Sequence, residues 1–488
     1  MKIPQTPPKL TDLIAEVKAD RIQTILSAAQ TTPIQRHYLH WDKLRHYQPP
    51  SGISSREWWL AVKLLRAGRP VGLNDRVGRT FHFSVPEVVI EALHQIDLGS
   101  GGLLSVPEPI ANPHTRDRYL VSSLMEEAIT SSQLEGAVTT REVAREMIRT
   151  GRKPRDMSEQ MILNNFVTMQ RIGGFKSSPL SPELVFQIHR LVTENTLENP
   201  TAAGRFRRPD EKRVVADDFG TVYHDPPAAG ELPVRLEAMC AFANAQTPGF
   251  FVHPAVRAIL LHFWLAYDHP FVDGNGRTAR ALFYWAMLHS GYWLFEFISI
   301  SKILRKAPAK YGRSFLYTET DDNDLTYFLV AQTQVIRRAI SDLHEYITRK
   351  TAEVIEIESH VRALDLFNHR QVEVIRHALK HPGQRYTIAS HQMSHNVAYQ
   401  TARTDLLDMG TRGILEQRKK GKHGKQMVFV APADLSERLL ALEEECMAVD
   451  IPHLTSTSSQ TPRPTPRAAS PPALRSVPGT PRLRRRPA

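Results

Sequence analysis

A run of twelve residues, from His269 to Arg280, brings together a base, an acid, two glycines and two arginines: HPFVDGNGRTAR. The segments on either side, 253–268 and 278–290, place apolar residues at helical spacing. The run therefore predicts a loop that joins two helices and opens the second. Because glycines allow close approach to the backbone and the amides of a helix N-terminus point at a ligand, this loop predicts a phosphate site.

The side chains of the run suggest which chemistry takes place there. Asp273 is a hard oxygen ligand that could share Mg²⁺ with phosphate oxygens. Arg277 and Arg280 are three residues apart on the new helix, so both can reach one polyphosphate. His269 has a pKa suited to removing a proton from a hydroxyl near neutral pH. Together they predict nucleotidyl or phosphoryl transfer to an alcohol.

The run also resembles the signature His-Pro-Phe-x-(Asp/Glu)-Gly-Asn-Gly-Arg-x-x-Arg of Fic proteins, which it matches at every defining position. Fic proteins transfer AMP from ATP to a Ser, Thr or Tyr hydroxyl of a protein. The resemblance implies that His269 is the general base and Asp273 the Mg²⁺ ligand. It implies a nucleotide site formed by Gly274, Asn275, Gly276, Arg277 and Arg280, with the first three around the α-phosphate and the arginines on the β- and γ-phosphates. Relatives that transfer phosphate or phosphocholine differ within the glycine loop, and both glycines are kept here, which favours AMP transfer.

A second motif lies upstream, at Ser131-Ser132-Gln133-Leu134-Glu135-Gly136. It resembles the inhibitory motif (Ser/Thr)-x-x-x-Glu-(Gly/Asn) of Fic proteins, on a helix expected at about 117–136. On a helix, Ser131 and Glu135 share one face. The resemblance implies that Glu135 pairs with Arg280 and prevents the γ-phosphate from binding productively. The resting enzyme would then be autoinhibited. The alternative is that Ser131 and Glu135 are an ordinary solvent-exposed pair of side chains on one helix. In some relatives this glutamate also contributes to removal of AMP from the target, and that activity is left open here.

Between the two motifs, β-rich runs at 213–215 and 221–223 flank a turn at 217–220, which predicts a hairpin. In Fic proteins a flap at this place lends a strand edge to the segment being modified. An ordinary surface hairpin is the alternative. Tyr223 and His224 are candidate contacts, and neither is predicted to be catalytic.

The C-terminal part predicts a winged helix at residues 363–435. A helix capped by Asn368 and a short polar helix precede a third helix at 397–410, and a hairpin with a basic tip at 419–425 follows. The third helix resembles the recognition helix of regulator-type winged helix-turn-helix domains, a module often appended to Fic cores. If it reads DNA, the candidate contacts are Tyr399, Gln400, Thr401, Arg403, Lys420 and Lys422. A module that mediates only protein contacts or dimerisation is the alternative.

Composition narrows the class of protein. The formal net charge is +11. Seven of the positive charges are arginines in a tail, 451–488, that is rich in Pro, Ser and Thr and lacks acidic residues. Such a tail is expected to be disordered. Two cysteines cannot form a disulfide framework, and the N-terminus lacks the apolar stretch of a signal peptide. No segment predicts a membrane span, so a cytoplasmic enzyme is expected.

The sequence thus predicts a mainly α-helical protein with a small β-hairpin flap and a C-terminal winged helix. The expected divisions are an N-terminal helical domain (1–104), a Fic core with the inhibitory helix (105–345), a linker helix (346–362), the winged helix (363–435), a terminal helix (436–450) and the tail (451–488). The expected activity is protein adenylylation with ATP and Mg²⁺, on a protein target or on the chain itself. A DNA-binding regulator that uses the Fic core as a nucleotide sensor is the alternative, and a homodimer is left open.

Overall fold

The computed structural model describes residues 2–30, 37–66, 68–100, 113–217, 219–363, 366–420 and 426–449. These residues are mainly helical, with a few short strands, as predicted. The described residues divide into two units, one within Met1–Leu439 and one within Leu440–Ala488. The tip of the predicted basic hairpin and the tail after Val449 lie outside the described residues. No described helix is long and apolar enough to cross a membrane.

The elements before residue 200 are the helices α1 (Leu10–Glu16), α2 (Ala19–Gln30), α3 (Trp41–Leu44), α4 (Ser55–Leu65), α5 (Glu87–Ser100), α6 (Pro113–Leu134), α7 (Arg141–Thr150), α8 (Met157–Phe175) and α9 (Pro182–Thr193), with the strands β1 (Arg69–Asn74) and β2 (Thr80–Phe83) between α4 and α5. The strands β3 (Val215–Ala216) and β4 (Val222–His224) come next, and then α10 (Leu232–Ala243), α11 (Pro254–Asp268), α12 (Asn275–His289), α13 (Ile300–Lys306), α14 (Pro308–Thr320) and α15 (Thr326–Ala363). The last elements are α16 (His369–Lys380), β5 (Arg385–Tyr386), α17 (Ile388–His395), α18 (Tyr399–Thr411), β6 (Glu416–Lys420), β7 (Gln426–Val430) and α19 (Leu435–Val449).

The N-terminal helices pack around the tryptophan pair of α4. Trp58 and Trp59 are buried. The hairpin of β1 and β2 was not predicted. Its turn depends on Asp75, whose carboxylate accepts hydrogen bonds from the amides of Val77 and Arg79, and on Gly78 in the left-handed region with φ 84°. This signal is too short to stand out from an ordinary loop in sequence.

Helices α11 and α12 form the centre of the large core. Nearly every residue of α11 is buried, and in α12 the rings of Phe283, Tyr284 and Trp285 are at most 1% exposed. A helix that is apolar on all sides has to be surrounded by other elements. The unpredicted hairpin supplies one of them, since Phe81 of β2 packs edge-on against Tyr267 of α11.

Helix α6 is held to this core by polar bonds at its inner face. The buried carboxylate of Glu127 accepts hydrogen bonds from the hydroxyls of Tyr284 and Ser299 and from the amide of Ser301. One turn later the hydroxyl of Ser132 donates to a carbonyl of α8. Because these acceptors and donors are buried, displacement of α6 would leave several of them unpaired.

Helix α15 is one continuous helix of 38 residues, and the stretch 346–362 belongs to it. After it, α16, α17 and α18 pack against a three-stranded antiparallel sheet in the order β5-β7-β6. The predicted cap is present, since Asn368 and Gln371 form a capping box at the start of α16.

Asp405 of α18 connects this helix to α16 and α17 through hydrogen bonds. Its buried carboxylate accepts hydrogen bonds from Asn368 Nδ2 (2.9 Å), Arg370 Nε (2.7 Å) and His391 Nε2 (3.1 Å). Burial by itself would raise the pKa of this carboxyl, but the hydrogen bonds outweigh it and lower the pKa from 3.8 to about 2. The stabilising contribution is therefore present above pH 3.8 and is lost as the pH falls through about 2.

We predict that Asp405→Ala destabilises this module of α16, α17 and α18 by about 3 kcal/mol, because it leaves the buried ring of His391 and the partly buried guanidinium of Arg370 without their carboxylate partner. Hydrogen exchange of the full chain at neutral pH measures this as faster exchange of the α16 and α18 amides. Glu373→Ala, which removes an exposed pair with Arg376 on α16, is the matched control and should change exchange little. Equal exchange in the two variants would contradict the role given to Asp405.

Candidate active site

The site begins at the turn where α11 ends. His269 caps α11 in the left-handed region, with φ 44° and ψ 55°, and its amide donates to the carbonyl of Leu265 at 3.0 Å. A non-glycine residue rarely adopts this conformation, which tends to occur at functional sites. The carbonyls left free at the helix end have partners, since Arg207 Nε donates to the carbonyl of His269 at 3.0 Å and Nε2 of His224 lies 2.6 Å from the carbonyl oxygen of Tyr267.

The imidazole of His269 is partly buried. Burial, together with the nearby His224, lowers its pKa to about 4. The ring is therefore neutral at physiological pH and able to accept a proton. Its Nδ1 lies 3.4 Å from the carbonyl of Ala266, a long contact that restrains the ring only weakly.

The loop after His269 is fixed by the side chain of Asn275. Its Oδ1 accepts a hydrogen bond from the amide of Phe271, and its Nδ2 donates to the carbonyl of the same residue, both at 2.9 Å. Asn275 is buried, and both ends of its amide are engaged in this pair of bonds. Its side chain therefore holds the loop, and any contribution of Asn275 to anion binding falls to its backbone amide.

Gly274 opens α12 in the left-handed region, with φ 80°. A Cβ here would lie 2.6 Å from Cγ2 of Thr193, so the position requires glycine both for its conformation and for its close packing. Behind the loop, His189 accepts a hydrogen bond from the amide of Gly204 at Nδ1, and its Nε2 lies 2.9 Å from the carbonyl of Asp273. Since a carbonyl only accepts, the proton of this imidazole is on Nε2.

His189 is a residue that the sequence analysis missed. Burial lowers its pKa to about 4, and the neutral ring stacks on Phe271 at 3.7 Å between centroids. It holds the loop from the side of α9. A single histidine in an apolar helical segment has no spacing that distinguishes it from an ordinary core residue, so no sequence signal was available.

The two arginines of the motif are each 1% exposed. Arg277 Nη1 donates to the carbonyl of Val192 at 3.0 Å, and its Nη2 is 3.4 Å from the carboxylate of Asp273. The buried Nε of Arg277 has no hydrogen-bond partner within the described part of the chain. Asp273 itself points outward, with 58% of its side chain exposed.

Arg280 joins the two motifs of the sequence. Its Nε donates to the hydroxyl of Ser131 at 2.8 Å, and its Nη2 donates to the carbonyl of Ser131 at 3.0 Å and to Oε1 of Glu135 at 2.8 Å. Gly136 follows in the left-handed region, with φ 94°, and turns the chain away. The pair of Glu135 and Arg280 expected from the resemblance is present in the structure.

The carboxylate of Glu135 also lies directly on the first turn of α12. A Cβ at Gly276 would be 2.8 Å from the carboxyl carbon of Glu135, so only glycine allows this approach. Burial raises the pKa of Glu135, but the charge and hydrogen bond of Arg280 outweigh it and the pKa is lowered. An ionised group therefore lies at a helix N-terminus, where backbone amides and the helix dipole stabilise negative charge.

The hairpin predicted between the motifs is formed by β3 and β4, which pair antiparallel with Val215 opposite His224. Its tip is exposed, with Phe219 at 94%. The two residues singled out there point in different directions. The hydroxyl of Tyr223 donates to Asp217 within the hairpin, while His224 is buried against α11 and α14.

The candidate DNA contacts lie at the other end of the sequence. Tyr399 and Gln400 are exposed at the start of α18, and Thr401 and Arg403 are partly buried on the next turn. Lys420 is the last residue of β6, and Lys422 lies outside the described residues.

Residues 179–287 match the model of the Fic/DOC family. The chain is similar to the protein adenylyltransferase Fic of Nematostella vectensis, with 29% identity over 210 residues, which cover 41% of this chain and 45% of that protein. It is also similar to the protein adenylyltransferase Fic of Culex quinquefasciatus, with 33% identity over 108 residues, covering 22% of this chain and 19% of that protein. The chain thus spans less than half the length of these curated relatives.

Two solved structures are similar in fold. A Fic family protein from Desulfovibrio desulfuricans G20 has 17% identity and a TM-score of 0.47, over 71% of this chain and 97% of that one. Fic-1 from C. elegans has 20% identity and a TM-score of 0.41, over 53% and 71% of the two chains. The family match includes the whole run from His269 to Arg280, and the chain therefore contains a Fic domain at residues 179–287.

Proposed function

We propose that this chain is a protein adenylyltransferase that transfers AMP from ATP to a Ser, Thr or Tyr hydroxyl of a protein target or of itself, and that Glu135 inhibits it. The observation that carries the proposal is that Arg280 binds the carboxylate of Glu135, and that this carboxylate lies against the first turn of α12 at Gly276. A site built for negative charge beside a neutral imidazole suits transfer of a phosphorus group to a hydroxyl. The similarity to proteins named adenylyltransferase indicates ATP as the donor.

The proposed reaction is an in-line displacement at the α-phosphorus. The hydroxyl gives its proton to His269, its oxygen bonds to the α-phosphorus, and the bond to the β-phosphate oxygen breaks to release pyrophosphate. The backbone amides of Gly274 to Gly276 face the α-phosphate, and Arg277 and Arg280 neutralise the departing phosphates. Because the protein does little covalent chemistry in such a reaction, the fixed positions of loop and base supply most of the acceleration.

Asp273 is the proposed ligand of Mg²⁺. Its exposed carboxylate borders the anion site, and Mg²⁺ in such sites is held by one or two carboxylates together with substrate phosphates. No cluster of three or more His, Cys, Asp or Glu side chains suited to a metal ion occurs among the described residues, so phosphate oxygens would complete this site. The ion would neutralise phosphate charge.

Inhibition follows from competition for one guanidinium. Arg280 is buried, and its Nη2 already donates hydrogen bonds to the carbonyl of Ser131 and to the carboxylate of Glu135. A γ-phosphate that binds the same nitrogen meets the negative charge of Glu135 at close range. The hydrogen bonds that Arg280 donates to Ser131 do not involve Glu135. Arg280 therefore stays in place for the phosphate when Glu135 is removed.

The flap is proposed to bind the segment being modified. Val215 and Val222 are apolar and partly exposed on its two short strands, next to the turn that carries His269. An extended segment that adds to a strand edge gains main-chain hydrogen bonds whatever its side chains are. Such binding would hold a hydroxyl near His269.

We predict that Glu135→Gly raises AMP transfer about 10- to 100-fold, because the lost charge-assisted hydrogen bond is worth about 1.5–3 kcal/mol and each 1.4 kcal/mol is a factor of ten. Intact-mass analysis after incubation with ATP and Mg²⁺ measures self-modification as an AMP-sized addition. Glu135→Gln, which keeps the size of the side chain, should also raise transfer. Glu142→Gln on the exposed face of α7 is the control, and an unchanged rate in both Glu135 variants would remove the inhibition hypothesis.

A second prediction concerns the base. In the Glu135→Gly background, His269→Ala should lower AMP transfer by about 10²–10⁴-fold, because no group remains to accept the hydroxyl proton. ATP affinity, measured by calorimetry, should stay within about twofold, since a base contributes little to phosphate binding. His46→Ala replaces an exposed histidine and is the control. Transfer at the parent rate would refute the role of His269.

DNA binding by residues 363–435 is the second candidate function. The order helix, strand, helix, helix and two-stranded hairpin is that of a winged helix, and Tyr399 is exposed at 56% at the start of its third helix, α18. This candidate requires only that the Fic domain bind nucleotide. A Glu135→Gly protein that binds ATP but transfers no AMP would favour it.

We predict that the full chain binds random-sequence duplex DNA with a strong salt dependence, and that Lys420→Ala/Lys422→Ala reduces the slope of log affinity against log salt by about 1.8, or 0.9 for each lost phosphate contact. Fluorescence anisotropy at several salt concentrations measures the slope. Lys18→Ala, an exposed charge in the N-terminal part, should leave it unchanged. An unchanged slope in the double variant would exclude the hairpin as a DNA contact.

A further inference from the structure

His224 is the last residue of β4 and one of the few buried residues of the flap. Its ring lies between two other elements. Nδ1 is 2.8 Å from Oε2 of Glu319 on α14, and Nε2 is 2.6 Å from the carbonyl oxygen of Tyr267 on α11. The ring therefore joins the flap, α14 and the end of α11 at one point.

Both neighbours of this ring are acceptors. A carboxylate and a carbonyl have no proton to donate, and a neutral imidazole carries a single N–H. If His224 were neutral beside an ionised Glu319, one of the two short contacts would bring two lone pairs together. Beside an ionised Glu319, both contacts are hydrogen bonds only when both ring nitrogens are protonated.

We propose that His224 is a positioning residue for the transfer reaction: as an imidazolium it clamps the flap to Glu319 and to the carbonyl of Tyr267, and so holds the substrate-binding hairpin against the turn that carries His269. The role in catalysis rests on the proposed function, whereas the clamp itself does not. His224 acts through the backbone two residues before the base, and it is not a group that touches the reacting atoms.

The position in the fold favours a cation. The carbonyl of Tyr267 belongs to the last turn of α11, where the helix dipole is negative and carbonyls lack intrahelical partners. Burial lowers the pKa of His224, but the hydrogen bond and charge of Glu319 outweigh it, so that the pKa stands above its usual 6.5. The clamp is accordingly complete below pH 6.5 and is lost as the pH rises through the raised pKa.

Each element that packs around the His224 ring also carries charged groups. Asp268 of α11 is bound to Arg235 of α10, and Asp225, next in sequence to His224, pairs with Arg76 of the hairpin β1–β2 on the surface. Arg207 holds the other side of the same turn through the carbonyl of His269. The end of α11 is thus capped by two cations, of which only the imidazolium can lose its charge near neutral pH.

The charge of His224 also affects the pKa of the proposed base, His269. The positive charge of His224 contributes to the low pKa of His269, after the effect of burial. It therefore helps to keep the base neutral while the flap is clamped. Loss of the clamp would release the flap from the turn and misplace the bound hydroxyl relative to His269.

The first test counts protons on the ring. Nitrogen NMR of the full chain labelled with ¹⁵N-histidine, with His224→Gln used to assign the resonance, should show both nitrogens of His224 protonated at pH 6. In Glu319→Gln the ring should be neutral at pH 7, because the partner that raises its pKa is gone. Asp225→Asn, which changes a neighbouring exposed carboxylate, should leave both protons in place.

The second test measures the consequence. In the Glu135→Gly background, Glu319→Gln and His224→Gln should lower self-modification roughly 10- to 100-fold, the size expected for a misplaced reacting group. ATP affinity should stay within about twofold and the Asp225→Asn control at the parent rate. The rate of the parent should fall at alkaline pH through the titration of His224, and in Glu319→Gln that fall should move to lower pH.

Each outcome decides the proposal. Two protonated nitrogens together with the loss of transfer support it. A single proton on His224 in the wild-type chain at pH 6 overturns the clamp, and unchanged transfer in both variants overturns the positioning role. If the Glu135→Gly chain transfers no AMP at all, the proposed function has failed and the positioning role fails with it, while the proton count still decides the clamp.

Discussion

A buried guanidinium sets the main constraint on this structure. Arg280 is 1% exposed inside the central helix pair, and a buried charge is tolerated only when it is paired and hydrogen-bonded. Helix α6 meets this requirement by ending where Ser131 and Glu135 reach the guanidinium. The anchoring of α6 through Glu127 therefore also fixes where the carboxylate of Glu135 lies, and the proposed inhibition depends on that position.

The two central helices give the site opposite electrostatic ends. Helix α11 ends in carbonyls that are capped by Arg207 and His224, and the carboxylate of Glu135 lies against Gly276 in the first turn of α12. The proposed base, His269, lies at the first end, and the proposed anion site lies at the second. The six-residue loop 269–274, held by Asn275 and His189, keeps the two ends together. The groups proposed to accept the proton and to bind the phosphates are therefore close together.

The site could be predicted from sequence where its residues are close in the chain. His269, Asp273, the glycines and the arginines form one run, so their types and spacing carried the prediction. The hairpin β3–β4 was also predicted, from a turn between β-rich runs. The hairpin β1–β2 and His189 were missed, since a short turn and a lone histidine have no periodic signal. The side chain of Asn275 binds Phe271, a contact that residue type alone does not reveal.

By itself the sequence determined which residue types are available for chemistry and much of the local structure: a histidine and a glycine-containing loop between two apolar helices, a capped C-terminal helix, and a glutamate in a recognisable motif. Only the tertiary structure decided which distant groups meet. The pairing of Glu135 with Arg280 joins residues 145 positions apart, and the contact of His224 with Glu319 joins residues 95 apart. Such contacts depend on how helices pack in three dimensions, and helical periodicity specifies which face of a helix is buried but not which partner covers it.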